Sequence, residues 1–448
     1  MLESINILAR EFLEQVKEKP ARVISHHDTD GITSAAILAR TFKRLNIRFS
    51  IKIVKNLEKE FLEKELLKHE KEVLVFSDLA SGSLDYLQNL KSPIFILDHH
   101  EIDKTKLNSN IKIINPHLFN EEEISGAGVT YLFSKAISPK NVDLANLAII
   151  GMVGDRLDVN ISKTYNQIIA DSNDITIKKS LLIYPATRPL RRALEYCTSP
   201  YIPGVTGSPS GVLEILRETN IPLDKSLQDL NEEETSRLLT AILLRRSNHD
   251  KKEEIIGNIY LIKLANRKED ARELSVWINA CSRMGQSDIA IALCLEDEKA
   301  RLRAEELYLE YKQQLVSALG IIEKMDKIKG NGFVILNAKD EIKDTIIGTV
   351  TSILSSSVDY AEGTILIGMA YNQDKIKVSA RIVGREKRNL KEILEKAVFN
   401  FKTKIETDMN IEIGGHMNAA GCQIQKEQEL EFIETLKKDL EVEVVKIS

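Results

Sequence analysis

The sequence predicts an α/β protein whose N-terminal third forms a doubly wound, largely parallel β-sheet. Two observations support this prediction. Short apolar, β-branched runs alternate with amphipathic stretches of helical spacing over residues 1–115, which is the order of elements in a doubly wound sheet. The apolar runs are continuous and do not alternate with polar residues, a pattern typical of central strands covered by helices on both faces.

The elements of this sheet follow one another in order. An amphipathic helix with Ile5, Leu8 and Phe12 on its inner face precedes the strand "ARVISHHD". The helix "ITSAAILARTFKRL" then leads to the strand "FSIKIV", and a charged helix around residues 57–69 leads to "EVLVFSD". After a short helix come the strands "PIFILDHH" and "IKIINP", and residues 126–155 are predicted to be helical, ending in "GMVGDRLD".

The doubly wound pattern ends near residue 190, and four regions are expected. Residues 1–190 form the first α/β domain, and residues 191–295 form a mostly helical connector that contains the loop "TSPYIPGVTGSPSG". Residues 296–329 form a long, charged linking helix. Residues 330–448 form a smaller α/β domain in which the strands "GFVILNA", "GTILIGMAY" and "KIKVSARIV" are separated by helices.

Composition excludes several classes of protein. The net charge of −5, from 62 basic and 67 acidic side chains, is unlike that of a protein that binds nucleic acid over its whole surface. No apolar run reaches the roughly 18 residues that a membrane span needs, and the N-terminus lacks the features of a signal peptide. The four cysteines form no CxxC pair, so neither disulfides nor a cysteine zinc site are expected. We therefore expect a cytoplasmic protein without a membrane partner.

Acidic and imidazole side chains stand at the ends of the predicted strands. Because the carboxyl ends of parallel strands meet at one edge of a sheet, these side chains are expected to converge on one crevice. Taken alone, each has a simpler interpretation as a turn or a polar strand end. Their joint placement favours a functional site. The residues are His26, Asp28 and Asp30 after the first strand, Asp78 after the third, Asp98, His99 and His100 after the fourth, and Asp155 after the last helix.

Divalent cations are the expected occupants of such a crevice. Carboxylates at contact distance cannot all stay ionised unless cations lie among them. Oxygen and imidazole ligands without a thiolate favour Mn²⁺ or Mg²⁺ over Zn²⁺. Several carboxylates also allow one to bridge two ions about 3.5–4 Å apart, an arrangement used in phosphoryl hydrolysis.

Five motifs resemble those of a known family. "HHDTDG", "FSD", "LDHH" and "GMVGD" are similar, in this order, to the four motifs of the DHH phosphoesterase superfamily. "GGHMNAAG" resembles the glycine-rich signature of the C-terminal domain associated with that superfamily. Within the superfamily, the chain is most similar to the archaeal RecJ-like exonucleases. The resemblance implies a DHH catalytic domain over residues 1–190 and a DHH-associated, substrate-binding domain over residues 330–448.

The resemblance also implies a role for each motif residue. Asp78 would bridge two metal ions, Asp98 would hold the ring of His99 in the right tautomer, and His100 would contact the scissile phosphate. The expected metal ligands are His26, Asp28, Asp30, Asp78, His99 and Asp155, and the expected phosphate-binding residues are Gly414, Gly415, His416 and Arg381. Further candidates for phosphate contact are the basic clusters Arg385, Lys387, Arg388 and Arg188, Arg191, Arg192.

The function implied by the resemblance is that of a metal-dependent phosphodiesterase. It would act as an exonuclease on single-stranded DNA or RNA and release mononucleotides, with two divalent cations, manganese before magnesium, in DNA repair or replication. Two alternatives stay open. One is a phosphoesterase for short oligoribonucleotides or nucleotide phosphates, and the other is a replication-fork subunit that binds the GINS complex.

Overall fold

The computed structural model describes residues 1–441 except for 58–60, 62–65, 70, 108–109, 160, 173, 198–199, 201, 247–254, 357–359, 385–387, 407–410 and 412, and excludes the side chains of Leu67 and His416. The chain forms two compact units, Met1–Tyr308 and Leu309–Ser448. In the described ranges, no helix is both long enough and apolar enough to cross a membrane.

The first unit contains the predicted parallel sheet. Its strands have the order β2-β1-β3-β4-β5, and every neighbouring pair is parallel. The strand order reverses between β1 and β3, and in such sheets ligands bind beyond the carboxyl ends at this position. The prediction of a doubly wound parallel sheet is therefore confirmed. The strands are β1 Ala21–His26, β2 Phe49–Val54, β3 Val73–Ser77, β4 Ile94–Leu97 and β5 Ile111–Ile114.

Both faces of strands β3 and β4 are buried, which explains their continuous apolar runs, whereas the edge strand β2 exposes Ser50 and Lys52. Alternate residues of β3 face opposite sides, so Val75 joins one hydrophobic cluster and Phe76 another. The first cluster contains a stacked pair of rings, Phe12 and Phe42, with centroids 5.2 Å apart. The helices of this region are α1 Leu2–Gln15, α2 Thr29–Arg44, α3 Leu84–Leu87, α4 Gly126–Ile137, α5 Ala145–Gly154 and α6 Lys163–Asp171. The charged helix predicted around residues 57–69 lies largely outside the described residues.

The rest of the first unit combines an antiparallel sheet with further helices. Strands β6 Thr176–Leu181, β7 Ile256–Leu264 and β8 Arg267–Asp270 form the sheet. Helices α7 Leu190–Glu195, α8 Pro209–Glu218 and α9 Glu232–Arg245 contribute to a separate core. Helices α10 Ala271–Arg283 and α11 Ser287–Cys294 pack instead into the core of the parallel sheet, through Trp277 and Cys294 among others.

The second unit contains a six-stranded mixed sheet of order β13-β14-β12-β11-β10-β9. Strands β10 and β11 pair parallel, and the other neighbours pair antiparallel. The long charged helix is observed as α12 Glu298–Lys324, which begins in the first unit and ends in the second. The remaining elements are β9 Ile328–Gly330, β10 Phe333–Asn337, α13 Asp344–Ser355, β11 Ile365–Asn372, β12 Lys375–Ile382, α14 Leu390–Lys404, β13 Gly414–His416, β14 Ala419–Gln425 and α15 Glu429–Leu440.

One expectation for this unit is wrong. The strands "GTILIGMAY" and "KIKVSARIV" were expected to be separated by a helix, but β11 and β12 form a tight hairpin in which Asn372 pairs with Lys375. The turn is made by Gln373, with φ of +57°, and Asp374. Two residues suffice because antiparallel neighbours, unlike parallel ones, need no crossover connection.

Candidate metal centre

The polar residues that follow β1, β3 and β4 converge at the carboxyl edge of the parallel sheet. Three groups of side chains have potential ligand atoms within 4.8 Å of one another: His26, Asp28 and Asp78; Asp78, His99 and His100; and Asp30, His99 and Asp155. All six expected metal ligands are therefore brought together. Asp78 and His99 each belong to two groups, so the groups form one continuous centre.

Asp28 and Asp30 are placed by the start of α2. Asp28 caps this helix, since its carboxylate accepts a hydrogen bond from the N–H of Gly31 at 3.0 Å. The cap turns the other carboxylate oxygen towards the ring of His26, with 3.0 Å between Asp28 Oδ2 and His26 Nδ1. Helix capping therefore uses one oxygen of Asp28 and leaves the other beside His26, where both could bind a metal ion.

Asp30 is completely buried and is held by the start of α4. Its two oxygens accept hydrogen bonds from the N–H groups of Gly126, at 2.5 Å, and Ala127, at 3.0 Å. The first turn of a helix offers unpaired N–H groups and a partial positive charge, which favours a carboxylate there. Behind it, the Ser125 side chain caps α4 and accepts a hydrogen bond from the hydroxyl of Tyr165 at 2.6 Å.

Asp78 occupies the middle of the centre in a strained conformation. Its φ is +57°, in the left-handed region that non-glycine residues seldom adopt. Its backbone N–H donates to the carbonyl of Leu97 at 2.9 Å, which ties this residue to the end of β4. Both carboxylate oxygens are buried, and each faces an imidazole nitrogen: Oδ1 lies 3.2 Å from His99 Nε2, and Oδ2 lies 3.5 Å from His26 Nδ1. A buried carboxylate in a strained conformation is costly, and this cost fits a residue that could act as a metal ligand.

The ring of His99 faces the carboxylates. Its Nε2 lies 3.2 Å from Asp78 Oδ1, 3.4 Å from Asp155 Oδ2 and 3.8 Å from Asp30 Oδ2. These carboxylates come from β3, from the end of α5 and from the start of α2. A single imidazole nitrogen therefore stands where three carboxylates meet, and these four groups could bind one cation together.

Asp98 does not act on the residue that was expected. Its Oδ1 lies 2.7 Å from ring Nδ1 of His100 and accepts the backbone N–H of His99 at 2.8 Å. Its Oδ2 accepts the N–H of Ser81 at 2.9 Å. The expectation that Asp98 holds the ring of His99 is wrong, because the backbone after β4 presents the N–H of His99, rather than its ring, to this carboxylate. Asp98 instead orients the ring of His100.

The pKa values show how crowded the negative charges are. Burial raises the pKa of Asp30 to about 8, and the charge of Asp78 adds to the shift. Burial also raises the pKa of Asp155 well above its usual range, with the charge of Asp30 as the next cause. Burial opposes a charged His99 ring, but nearby carboxylates, Asp78 first, outweigh it and raise the pKa of that ring. Cations among these groups would let all the carboxylates ionise.

The donor set fits divalent cations. It consists of carboxylate oxygens and imidazole nitrogens, and the four cysteines are all buried elsewhere in the described cores. Hard or borderline ions such as Mn²⁺ and Mg²⁺ prefer these donors. The buried oxygens of Asp78 point to the same conclusion, because coordination would offset the cost of burying them.

The predicted phosphate-binding residues lie together in the second unit. His416 and Arg381 are on β13 and β12, and both flank Ala419 of the intervening strand β14. Gly415 has φ of +122°, and a Cβ there would lie 2.2 Å from the carbonyl oxygen of Ala419, so this position requires glycine. Arg381 Nε donates to Ser352 Oγ at 2.7 Å. The side chain of His416, together with Arg385 and Lys387, lies outside the part of the chain that is described.

Two of the other basic candidates are engaged in ion pairs. Arg188 lies 3.4 Å from the carboxylates of Glu273 and Glu305, and its guanidinium stands 5.9 Å from the ring centre of Trp277. Arg191 lies 3.4 Å from Asp224. These contacts assign Arg188 to the packing of α10 and weaken the case for this cluster as a phosphate site.

Several residues that support the centre escaped sequence reasoning. Gly126 and Gly151 give space, since a Cβ on Gly126 would lie 2.7 Å from Asp78 Cβ and one on Gly151 would lie 2.4 Å from Asp30 Oδ1. Ser81 and Asn115 support the loop that carries His100. The glycine pairs in "SGAGV" and "IIGMVG" were the available signal, since glycine within a helix is unfavourable unless a close approach requires it.

The class of protein that these features define is that of the DHH phosphoesterases. The features are a parallel sheet of this order, acidic and imidazole groups at its carboxyl edge, and a second α/β unit that follows a long helix. Comparison with known families agrees. The DHH family, N-terminal domain, matches residues 21–152, the DHH-CID domain matches residues 184–259 and the DHHA1 domain matches residues 330–441. The chain belongs to the DHH family.

Individual relatives are similar over most of this chain. An uncharacterized protein of Methanocaldococcus jannaschii is 30% identical over 430 residues, covering 92% of this chain and 91% of the relative. Among solved structures, CDC45 of Entamoeba histolytica has a TM-score of 0.68 at 15% identity, covering 98% of this chain and 99% of that chain. RecJ of Thermus thermophilus in complex with Mn²⁺ has a TM-score of 0.60 at 17% identity, covering 98% of this chain and 54% of that chain. These structures show that the fold is RecJ-like.

Proposed function

We propose that this protein is a two-ion phosphodiesterase that acts as a RecJ-like exonuclease on single-stranded DNA or RNA and releases mononucleotides. The observation that carries the proposal is the placement of Asp78. Its two oxygens are buried, and they face His26 on one side and His99 on the other, at 3.5 and 3.2 Å. A carboxylate between two donor groups is suited to bridge two cations.

The chain offers a ligand set for each ion. His26 and Asp28 would hold one ion, Asp30, His99 and Asp155 would hold the other, and Asp78 would serve both. Mn²⁺ is the proposed metal, with Mg²⁺ as the alternative, since both accept such ligands. When bound, the ions would supply a hydroxide nucleophile at neutral pH and stabilise the charge that develops on the phosphate.

His100 is the proposed phosphate contact. Its side chain is 51% exposed, in contrast to the buried Asp78 and Asp30. Because Asp98 engages Nδ1, the other ring nitrogen is left to donate a hydrogen bond. Burial opposes a charged ring, but the carboxylate of Asp98 outweighs it and raises the pKa of His100. A protonated imidazole held in one orientation favours an anionic oxygen of the substrate.

The polymeric substrate is supported by the second unit and by the relatives. Residues 330–441 match the DHHA1 domain, and we propose that Arg381, Gly414, Gly415 and His416 bind substrate phosphates there. A backbone turn with glycines lets N–H groups approach phosphate oxygens closely. RecJ, which shares the fold, is named an exonuclease bound to manganese, and we carry that activity to this chain as a proposal. A cytoplasmic location is part of the same proposal.

End-labelled oligonucleotides test the proposed activity. The purified protein is incubated with Mn²⁺ and with single-stranded DNA or RNA labelled at the 5′ or the 3′ end, and products are separated by length. Release of labelled mononucleotides from one end is expected, while the matched duplex is resistant. Asp78→Ala should abolish release, and Asp85→Ala, which alters a surface ion pair with Lys106, should not. Absence of mononucleotides from all four substrates would refute the exonuclease, whereas hydrolysis of dinucleotides alone would favour a small-substrate phosphoesterase.

A second candidate is supported by the likeness to CDC45, whose structure superposes on 98% of this chain. In this second candidate function, the protein would be a replication-fork subunit that binds the GINS complex. Affinity purification of the tagged full chain from its own cells, followed by mass spectrometry, tests this role. Recovery of GINS subunits at stoichiometric amounts supports it, and their absence at physiological salt contradicts it.

A further inference from the structure

Asn115 is a completely buried amide directly after β5, and the roles assigned above leave it unused. Its Nδ2 donates two hydrogen bonds, to Ser81 Oγ at 2.9 Å and to the carbonyl of His100 at 2.8 Å. Its Oδ1 accepts the backbone N–H of His117 at 3.0 Å. An amide side chain offers two N–H donors and one carbonyl acceptor, so every polar group of Asn115 is engaged and the amide can adopt one orientation only.

These bonds complete a closed network around His100. Ser81 donates its N–H to Asp98 Oδ2 at 2.9 Å, and Asp98 Oδ1 accepts from ring Nδ1 of His100 at 2.7 Å. Asn115 joins the two ends, since it contacts Ser81 on one side and the His100 backbone on the other. The network therefore links the loops after β3, β4 and β5 through three buried side chains. Fully satisfied buried networks of this kind hold their members rigidly.

The proposed metal ligands Asp78 and Asp30 are anchored by bonds outside this network, and His99 is anchored by a bond that does not involve Asn115 itself. Asp78 is held by its own N–H bond to Leu97, and Asp30 is held by the start of α4. The N–H of His99 is bound by Asp98 at 2.8 Å. By contrast, Asn115 is the group that binds the His100 carbonyl among the described hydrogen bonds. Loss of the Asn115 donors should thus displace His100 more than it displaces the metal ligands.

We propose that Asn115 is a positioning residue that fixes His100 against the metal centre. It acts through His100 and touches neither substrate nor metal. The proposal deepens the phosphodiesterase proposed above and rests on it for its kinetic consequence. Its structural consequence, a fixed His100 ring, can be measured without any turnover.

The variant Asn115→Asp provides the sharpest test, because it keeps size and the acceptor for His117 but removes both donors. Asn141→Asp is the matched control. Asn141 is also buried, and its Nδ2 also donates to a backbone carbonyl, that of Ser134 at 3.0 Å. Its Oδ1, however, accepts a hydrogen bond from Arg44 at 2.9 Å. Ser81→Ala is a milder second variant that removes a single acceptor from the network and leaves the bond from Asn115 to His100.

Three measurements are made on each full-length variant: kcat and KM for the oligonucleotide, affinity for Mn²⁺ by calorimetry, and the ring ¹³C–¹H signals of labelled histidines with Mg²⁺ bound. The His100 signal is identified by its loss in His100→Gln. For Asn115→Asp we expect kcat to fall about 10–100-fold, as is typical when a residue that orients an active-site group is replaced. KM and Mn²⁺ affinity should stay within about twofold of wild type, and the His100 signal should shift while the His99 signal does not.

Each outcome decides the matter. A wild-type kcat and an unchanged His100 signal in Asn115→Asp would overturn the proposal, and so would a fall in Mn²⁺ affinity that parallels the fall in kcat. If Asn115→Asp does not fold, Ser81→Ala must show the same selective changes on a smaller scale, or the proposal fails. If wild type hydrolyses no phosphodiester, the proposed function fails, while the His100 signal still tests the positioning role.

Discussion

Asp98 and His100 are paired through carboxylate Oδ1 and ring Nδ1, 2.7 Å apart. Burial alone would raise the pKa of Asp98, yet the hydrogen bond and the charge of His100 outweigh it and lower that pKa. Asp98 is therefore ionised and acts as an acceptor, which leaves Nδ1 of His100 as the donor. Within the Asp98-His99-His100 triplet, the ring of the middle residue faces the carboxylates of the candidate metal centre, and the outer two residues are bonded to each other.

Asp98→Asn tests this division of roles. The change weakens the bond to the His100 ring because a charge-assisted bond becomes a neutral one. We expect kcat to fall about 10–100-fold, with little change in the affinity for Mn²⁺ measured by calorimetry. The alternative role, in which Asp98 supports the ring of His99, requires a weaker affinity for Mn²⁺. His99→Asn is the reference for that result, since it removes a ligand directly.

Gly151→Ala should disturb the centre without altering any polar group. Its Cβ would lie 2.4 Å from Asp30 Oδ1 and 2.6 Å from Ala127 Cβ, and this overpacking is expected to cost about 1–3 kcal/mol of unfolding free energy. Urea denaturation measures the loss, and calorimetry should show weaker binding of Mn²⁺. Gly320→Ala is the matched control in α12, where a Cβ meets nothing within 4 Å. It should stabilise the protein by about 1 kcal/mol. Equal changes in unfolding free energy for Gly151→Ala and Gly320→Ala would contradict the crowding at Gly151.

Tyr165→Phe should loosen the anchor of Asp30. The hydroxyl of Tyr165 donates to Ser125 Oγ at 2.6 Å and accepts the Ser125 N–H at 3.1 Å, behind the helix turn that binds Asp30. Its loss is expected to lower the unfolding free energy by about 1–3 kcal/mol and to weaken Mn²⁺ binding. Tyr311→Phe, which removes a hydroxyl bonded to Thr349 Oγ1 at 2.9 Å, should cost stability without changing metal affinity. Unchanged Mn²⁺ affinity in Tyr165→Phe would show that the start of α4 holds Asp30 without this support.

Glu273 makes the stability of the first unit depend on pH. Burial raises the pKa of this carboxyl to about 7, although Arg188 opposes the shift. The folded protein therefore holds a proton that the unfolded chain has released, and stability should fall as pH rises from about 4.5 to about 7 and level off above it. Glu273→Gln removes this slope. The difference in unfolding free energy between variant and wild type should move in favour of the variant by up to about 3 kcal/mol between pH 5 and pH 8.

Glu269→Gln is the control for that pH series. Glu269 accepts two hydrogen bonds from Arg301, the shorter at 2.6 Å, so its replacement removes an ion pair and should destabilise the protein at both pH values. If Glu273→Gln lowered the unfolding free energy by the same amount at pH 5 as at pH 8, Glu273 would be ionised at both pH values. The assignment of its pKa would then be wrong.

The local elements of the parallel sheet could be predicted from the sequence, and so could the convergence of the candidate metal ligands. The reason is physical: a strand buried on both faces needs a continuous apolar run, and β3 and β4 show such runs. The carboxyl ends of parallel strands must then share one edge, which places Asp78 beside His99. The hairpin of β11 and β12 was missed because the short polar turn around Gln373 carries no glycine or proline signal.

The sequence by itself determined which groups surround the metal centre, since strand order and motif order bring them to one edge. Only the tertiary structure decided how each group is held. Asp30 is bound by N–H groups 96 and 97 residues further along the chain, and Asn115 reaches back 34 residues to Ser81. Such bonds depend on how loops and helix ends pack against one another. Asp98 engages His100 rather than the ring of His99 for the same reason, because the backbone after β4, and not the order of residues, directs the side chains.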